Sequence, residues 1–178
     1  QGASARKLIY LADLTHTGQI VSANVHPLGI GLIAAYAHQE FGESLEIELF
    51  KYPEDLDRAL DERIPDVIGF SNYSWNLNLG YAFAERLKHA APKVAIVFGG
   101  PNYGLTEREL SEFWTLRSAI DFHMVGEGER AFVALINTLN DFDFDVAAIK
   151  QAERPIANGH YRANGRMIIG DTLPRIRD

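Results

Sequence analysis

The stretch "KLIYLADLTHTG" (residues 7–18) decides the fold, because a short unbroken apolar run ends there in a polar loop. An apolar run of strand length is typical of a strand that is covered on both faces. The same arrangement recurs at residues 66–76 and 93–104, where each apolar run ends in a loop rich in glycine or asparagine. Segments with helical spacing follow these loops. We therefore predict strands that are joined by helices in a parallel sheet.

Five strand-like segments alternate with five helix-like segments along residues 7–139. The spacing of Thr106 and Glu109 predicts a capping box at the start of the fourth helix. We predict an α/β fold of the flavodoxin-like or Rossmann-like kind, with a five-stranded parallel sheet in the order 2-1-3-4-5 and helices on both faces. Such sheets bind ligands beyond the carboxyl ends of their strands, so the loops that follow the strands are the candidate site. The predicted strands are 7–13, 45–52, 66–71, 93–100 and 121–126.

Composition excludes several classes of function. The net charge of −7 argues against nucleic-acid partners and anionic membranes, since both need a basic surface. The apolar run at 28–37 is too short to cross a bilayer, and no charged-then-apolar leader opens the sequence, so we expect a cytoplasmic location. There is no cysteine, so this chain forms no disulfide, zinc–thiolate site or cysteine-ligated iron–sulfur cluster.

The character of the sequence changes after the fifth helix. We expect an α/β domain over residues 1–140, then an acidic linker and a hairpin over 141–178. The hairpin is predicted at 159–169, with an Asn-Gly turn at 164–165. Two interpretations remain open. The hairpin caps an edge of the sheet, or it leads into a further domain that this sequence does not include.

The loop after the third strand is the most unusual. It carries two large aromatic side chains among small polar ones, which suits a flat ligand ringed by amides. Alternatively, Trp75 packs under a neighbouring loop and Asn76 caps the next helix. The candidate binding residues in this loop are Ser71, Asn72, Tyr73, Ser74, Trp75 and Asn76.

The loops after the fourth and fifth strands are rich in glycine, which lets a backbone approach a ligand closely. A tight turn is the alternative in the fourth loop, and the fifth lacks the third glycine of a dinucleotide fingerprint. Ser71 and Gly126 stand where a phospho-receiver has its aspartate and lysine, which argues against that activity. The six histidines show no spacing typical of metal ligands. The candidates in these loops are Gly99, Gly100, Pro101, Asn102, Gly126, Glu127, Gly128 and Glu129.

Taken in order, "DLTHTG", "GFSNYSW", "VFGGPN" and "MVGEGERAFVALI" resemble the cobalamin-binding domain family, most closely the version that precedes radical SAM domains. The resemblance covers residues 7–139, and "IANGHYRANGRMII" is similar to the segment that links the two domains. It implies that glycines line a channel for the displaced dimethylbenzimidazole tail of cobalamin, and that side chains of the third loop meet the corrin.

One position departs from the metal-binding loop Asp-x-His-x-x-Gly of some cobalamin domains. Asp13 and Gly18 match its ends, whereas Thr15 replaces the histidine and His16 stands one place later. Within the resemblance, this implies cobalamin bound base-off, with no histidine on cobalt. His16 as a displaced cobalt ligand is the competing hypothesis, although a shift of one residue at a strand end reverses the side-chain direction. The candidate cofactor-binding residues of this loop are Thr15, His16, Thr17 and Gly18.

The resemblance implies a cobalamin-binding domain of a radical SAM enzyme whose chemistry is methyl transfer or a related radical step. The full protein would also use a [4Fe-4S] cluster and S-adenosylmethionine on a C-terminal radical SAM domain of the same polypeptide. Because this chain has no cysteine to hold that cluster, we expect it to be inactive alone. The alternative is a stand-alone flavodoxin-like module that binds a flavin or nucleotide, or that mediates an interaction.

Overall fold

The computed structural model describes residues 6–16 and 27–174. Within them, seven strands form one sheet in the order β2-β1-β3-β4-β5-β6-β7. The first five strands pair in parallel, in the predicted order 2-1-3-4-5. Their bounds are β1 Lys7–Ala12, β2 Leu45–Phe50, β3 Val67–Ser71, β4 Ala95–Gly99 and β5 Phe122–Met124.

The predicted number of strands was wrong, because the hairpin joins the main sheet. Strand β6 (Gly159–Ala163) pairs antiparallel with β5, and β7 (Arg166–Ile169) pairs antiparallel with β6. The turn between them is at Asn164 and Gly165, both with positive φ, as a two-residue hairpin turn requires. The hairpin thus covers the edge of β5 that the parallel sheet would otherwise leave unpaired.

The helices follow the predicted alternation. The capping box of α4 is confirmed, since the side chains and backbones of Thr106 and Glu109 bond reciprocally. Helices α1 and α5 pack against each other. No helix in the described part of the chain is long and apolar enough to cross a membrane. The helices are α1 Leu28–Phe41, α2 Pro53–Glu62, α3 Leu77–Ala90, α4 Glu107–Leu116, α5 Gly128–Asp141 and α6 Val146–Ala152.

Helix α6 lies where the sequence predicted only linker. Asp145 caps it, since its side chain accepts a hydrogen bond from the amide of Ala148 at 3.0 Å. Ile149 is fully buried in the core. One buried apolar residue per short helix is too little periodicity to detect in a sequence. The helix contacts β6 of the hairpin that follows it.

Candidate functional site

A cavity of about 510 Å³ opens where β1, β3, β4 and β5 end. This is within the range of about 300–1,000 Å³ that is usual for small-molecule pockets. Strand ends supply one wall, through Leu11, Phe70, Val97, Phe98 and Met124. Helices α1 and α5 supply another, through Ile30, Ile33 and Phe132. The cavity is therefore an apolar slot between the carboxyl ends of the strands and two helices. This is the end of the sheet where the sequence predicted a site.

Glycines lie around this slot at points that differ in the room left for a side chain. A Cβ added to Gly100, whose φ is +140°, would lie 2.6 Å from the carbonyl oxygen of Asn72. One added to Gly128 would lie 2.7 Å from Cδ1 of Ile33. Gly99 is different, since its Cβ would meet its nearest neighbour, the Met124 carbonyl oxygen, at an ordinary 3.5 Å. Gly100 and Gly128 thus let the chain close tightly around the slot, whereas Gly99 keeps space open.

The Asn72 side chain joins the loop after β3 to the loop after β4 through hydrogen bonds. Its Nδ2 donates to the carbonyl oxygen of Asn102 at 2.8 Å, and Asn102 Nδ2 donates back to Asn72 Oδ1 at 3.1 Å. Asn72 Nδ2 also lies 3.1 Å from Nε2 of His123. Asn72 is fully buried. Its amide, expected from the sequence to face a ligand, is instead bonded within the protein.

Next to this asparagine pair, the half-buried Tyr103 packs on the buried His123 in an aromatic cluster that the sequence analysis missed. The rings of Tyr103 and His123 stack with centroids 3.7 Å apart. Burial, with a smaller contribution from His160, lowers the pKa of His123 to about 3. Among the described residues, Nδ1 of His123 has no hydrogen-bond partner. Burial also raises the pKa of Tyr103 to about 12. The cluster is therefore neutral at ordinary pH.

The third loop presents two stacked rings. Tyr73 and Trp75 are parallel within 6°, with centroids 4.5 Å apart. Tyr73 lines the cavity, and Trp75 is 60% exposed rather than packed under a neighbouring loop. Asn76 lies at the N-cap of α3 but makes no side-chain capping bond; its Oδ1 accepts from the Tyr73 amide at 2.9 Å. The loop thus offers a flat aromatic surface beside the cavity.

The first loop is tied to the third. Asn76 Nδ2 donates to Asp13 Oδ1 at 3.1 Å, and the Nε2 of His16 lies 2.9 Å from the carbonyl oxygen of Trp75. Burial raises the pKa of Asp13, although hydrogen bonds from Ser71 and Asn76 oppose the shift. Thr15, at the position of the absent histidine, is buried. Thr17 and Gly18 lie outside the described residues.

Comparison with known proteins identifies the family. Residues 19–136 match the family described as "B12 binding domain". That match spans well over half of the chain. The chain belongs to the B12-binding domain family. This supports the cobalamin-domain interpretation of the sequence over the flavin or nucleotide module.

Two curated relatives of this B12-binding domain are much longer proteins. The 2-(S-pantetheinyl)-carbapenam-3-carboxylate methyltransferase of Streptantibioticus cattleyicolor is 30% identical over 114 residues, which are 62% of this chain and 16% of that protein. The cobalamin-dependent radical SAM methyltransferase TokK of Streptomyces tokunonensis is 32% identical over 117 residues, which are 63% of this chain and 17% of that protein. The chain therefore spans about a sixth of the length of these relatives.

Solved structures share the fold. OxsB, a cobalamin-dependent S-adenosylmethionine radical enzyme solved with aqua-cobalamin and S-adenosylmethionine bound, superposes with a TM-score of 0.70 at 14% identity, covering 96% of this chain and 23% of that one. Its apo form superposes with a TM-score of 0.65, covering 94% and 22%. At this identity, the likeness shows the fold alone.

The B12-binding domain brings only some of the predicted residues to its cavity. Asn72, Asn76 and Asn102 hold the loops together, whereas Ser74, Trp75 and His16 are exposed beside the cavity. Glu127 immediately precedes α5, and Thr15, in the first loop, is buried. The predicted residues that do line the cavity are Ser71, Tyr73, Gly99, Gly100, Pro101, Gly126, Gly128 and Glu129.

The sequence analysis missed the helical wall of the cavity. It interpreted the apolar run at 28–37 as a buried helix, and the structure shows its Ile30 and Ile33 facing the slot. Leu28 and Leu32 of the same run are exposed. A helix that is apolar on nearly every side is the signal that could have indicated a wall of a binding site. No group of three or more histidine, aspartate or glutamate side chains in the described ranges could hold a metal ion.

Proposed function

We propose that this domain binds cobalamin, with the nucleotide tail in the slot and the corrin over its mouth. The observation that carries the proposal is the glycine-edged apolar slot at the carboxyl ends of the strands, in a chain of the B12-binding family. Dimethylbenzimidazole is flat and apolar. Phe70, Phe98 and Phe132 line the slot and provide surface for such a ring. The residues present therefore fit the tail of this cofactor.

The corrin would meet the first and third loops. The stacked Tyr73 and Trp75 provide an aromatic surface beside the mouth, suited to the broad apolar face of a macrocycle. Ser71 and the exposed Ser74 are the side chains we propose for hydrogen bonds to the corrin amides. Asn72 and Asn102 act by holding these loops in place, because their own amides bond to each other.

We propose that cobalamin binds base-off, without a histidine on cobalt. Thr15 stands at the ligand position, and a hydroxyl is a weak donor to cobalt. The Nε2 of His16 lies at hydrogen-bonding distance from the Trp75 carbonyl oxygen, so ligation would require that contact to break. Cobalamin supplies a cobalt centre that can carry a methyl group. The part of this chain would be to bind the cofactor without offering a histidine to its cobalt.

In the full protein, we propose that this domain precedes a radical SAM domain that carries a [4Fe-4S] cluster and S-adenosylmethionine. The complete enzyme would be methyltransferase-like, as the names of the longer relatives suggest. Residues 1–140 would form the cofactor domain, and 141–178 would lead toward the following one. Because the chain has no cysteine, the cluster would be held elsewhere. We propose a cytoplasmic location, since the thiols that would hold the cluster stay reduced in the cytosol.

Titration with hydroxocobalamin, followed by absorption spectroscopy, tests the proposed binding. We expect saturable spectral change with the parent chain, and an affinity at least tenfold lower for Gly99→Leu, because a leucine side chain would extend into the slot. Gly31→Leu is the matched control, since it adds the same side chain on α1 where, among the described residues, nothing lies within 4 Å of the added Cβ. Gly31 does not line the slot.

Absence of saturable binding by the parent, under anaerobic and reducing conditions as well, would contradict the proposal. A parallel titration with flavin mononucleotide tests the alternative module. Saturable binding of the flavin without any binding of cobalamin would favour that alternative.

Electron paramagnetic resonance of the cob(II)alamin complex tests the axial ligand separately. We expect no coupling from a protein nitrogen to cobalt, and the same spectrum for His16→Ala. A nitrogen coupling that disappears in His16→Ala would show that the displaced histidine is the ligand.

A further inference from the structure

The C-terminal hairpin contacts the cavity wall through Tyr103. This residue lies in the loop after β4, lines the slot and packs its ring flat on His123 of β5. Its hydroxyl lies 3.3 Å from Nδ1 of His160, on β6 of the hairpin. The same side chain is therefore part of the slot and a partner of the hairpin.

The direction of the hydrogen bonds makes this contact specific. Trp114 Nε1 can only donate, and it donates to the Tyr103 hydroxyl oxygen at 2.9 Å. The Tyr103 hydroxyl is then left to donate its own proton to Nδ1 of His160. Because burial lowers the pKa of His160, its imidazole is neutral at ordinary pH and can accept. The bonds thus run in one direction, from α4 through the slot wall to the hairpin.

A second link joins the start of the hairpin to the fifth loop. The amide of Val125 donates to the carbonyl oxygen of Asn158 at 2.7 Å, and a Cβ added to Gly126 would lie 3.4 Å from Asn158 Nδ2. Val125 and Gly126 both line the slot. Asn158 also accepts from the amide of Leu173 at 2.7 Å through its Oδ1, and so binds the chain that leaves the hairpin.

We propose that the hairpin is a positioning element of the cofactor slot, in which His160 orients Tyr103 and Asn158 supports the loop at Gly126. Hairpin docking and cofactor binding then stabilise each other. If the docked hairpin holds the slot wall in the arrangement that binds the cofactor more tightly, the bound cofactor stabilises the docked hairpin by the same free energy. The inference rests on the proposed cobalamin binding and adds to it a route from cofactor occupancy to the chain that follows the hairpin. His160 and Asn158 touch no reacting atom, so they are positioning residues.

Variants in the hydrogen-bonded chain test the coupling. His160→Phe removes the acceptor and keeps a planar ring, and we expect it to weaken hydroxocobalamin binding on the order of fivefold, the effect of one lost hydrogen bond. Tyr103→Phe keeps the ring that lines the slot but also removes the acceptor of Trp114 Nε1, so we expect a loss at least as large. The double variant should bind no worse than Tyr103→Phe alone, since that change already removes the bond to His160. Arg162→Ala is the matched control, because Arg162 lies on β6 but is exposed.

Hydrogen exchange in the parent tests the reciprocal effect. Saturation with hydroxocobalamin should slow exchange of the hairpin amides at Asn158 and Gly170, which bond to Asp171 and Gly159, by a factor similar to the loss of affinity in His160→Phe. Amides of β2, at the far edge of the sheet, are the internal control. This exchange measurement uses the parent chain alone, so it tests the coupling even if His160→Phe does not fold.

Two failures are distinguishable. If the parent binds no cobalamin, the proposed function fails and the coupling fails with it. If the parent binds cobalamin, but hairpin exchange is unchanged or the folded single variants bind like the parent, only the coupling is overturned.

Discussion

The two ends of the parallel sheet are built differently. At the amino ends, carboxylates accept hydrogen bonds from backbone amides and form ion pairs with lysines. Asp121, 4% exposed at its side chain, accepts from the Ile96 amide at 2.9 Å and pairs with Lys88 and Lys150 at 2.5 and 2.9 Å. Asp66 likewise accepts from the amide of Leu8 at 2.8 Å. These contacts hold neighbouring strands together and leave charged groups compensated.

At the carboxyl ends, most of the side chains that hold the loops around the open slot are neutral. The carboxyl of Asp13 is the exception: it accepts a hydrogen bond from Asn76 Nδ2, and burial raises its pKa. The Asn72–Asn102 pair and the stacked Tyr103 and His123 carry no net charge. A largely neutral, internally bonded frame can keep its shape around an apolar ligand while placing little charge beside it. We therefore expect the amino ends to determine stability and the carboxyl ends to determine binding.

Removal of the Asp121 carboxylate should give the largest effect. We expect Asp121→Ala to lower the free energy of unfolding by about 3 kcal/mol, because it leaves two partly buried lysines without their partner and an amide without its acceptor. Urea denaturation measures the loss. Asp57→Ala is the matched control: Asp57 pairs with Arg86 at the surface, and we expect a change of at most about 1 kcal/mol.

Cobalamin affinity of Asp121→Ala, measured where the variant is folded, should equal that of the parent. A large loss of affinity with little loss of stability would break the distinction between the two ends.

The carboxyl-end cluster should make stability depend on pH. The folded-state pKa values of His123 and His160 are lowered by burial, that of His123 to about 3 from 6.5. Between the folded and unfolded pKa values, the unfolded chain therefore binds more protons than the folded chain. The free energy of unfolding is highest well above pH 6.5 and falls as the pH drops below that value. Each histidine contributes a slope of up to about 1.4 kcal/mol per pH unit.

Urea denaturation at pH 7, 6 and 5 checks this dependence. We expect His123→Phe to reduce the slope, since it removes one of the two groups. The raised pKa of Asp13 increases the free energy of unfolding as the pH falls, which is the opposite effect. It is present in the parent and in the variant, so it cancels in the comparison. Parallel curves for the parent and the variant would show that His123 is not the source.

Alanine substitutions at two glycines with positive φ, Gly100 at the slot and Gly165 in the hairpin turn, compare backbone strain at the slot with backbone strain away from it. Gly100→Ala would combine backbone strain with a Cβ 2.6 Å from the Asn72 carbonyl oxygen, so we expect about 2 kcal/mol of destabilisation and at least a tenfold loss of cobalamin affinity. Gly165→Ala, in the hairpin turn, meets nothing within 4 Å in the described chain and has a φ of +78°. It should cost about 1 kcal/mol through backbone strain and leave affinity unchanged.

Thermal denaturation and absorption titration of both glycine variants provide the comparison. Equal losses of affinity would mean that general destabilisation, rather than the shape of the slot, controls binding.

The features predictable from sequence are those with a local signal. The alternation of apolar runs and helical spacing predicted the five parallel strands and their order. The capping box at Thr106 depends on residues three positions apart, and the turn at Asn164 depends on adjacent ones. The place of the cavity follows from the rule that ligands bind beyond the carboxyl ends of such strands.

The contacts that were missed join residues far apart in the chain. Asn72 and His123 are 51 residues apart, and Tyr103 and His160 are 57 apart. Only the sheet order brings them together, and no spacing in the sequence marks them. The addition of the hairpin to β5 is of the same kind, because an antiparallel pairing at a sheet edge depends on which edge is open. Sequence therefore predicted the position of the site better than the partners of its side chains.

The smallest expected effect is the sharpest test of the distinction between stability and binding. Gly29 and Gly31 both lie in α1, and a Cβ at either position meets nothing within 4 Å among the described residues. Alanine should therefore stabilise the helix at each position by about 0.5–1 kcal/mol. Gly29 lines the slot and Gly31 does not.

We expect Gly29→Ala to weaken cobalamin binding a few-fold while Gly31→Ala leaves it unchanged, although both raise the melting temperature. In that result, a single methyl group at the slot would oppose binding while it favours folding. Unchanged affinity in both variants would mean that the cofactor does not reach the α1 wall, and equal losses would mean that flexibility of the helix, rather than space at Gly29, is what binding requires.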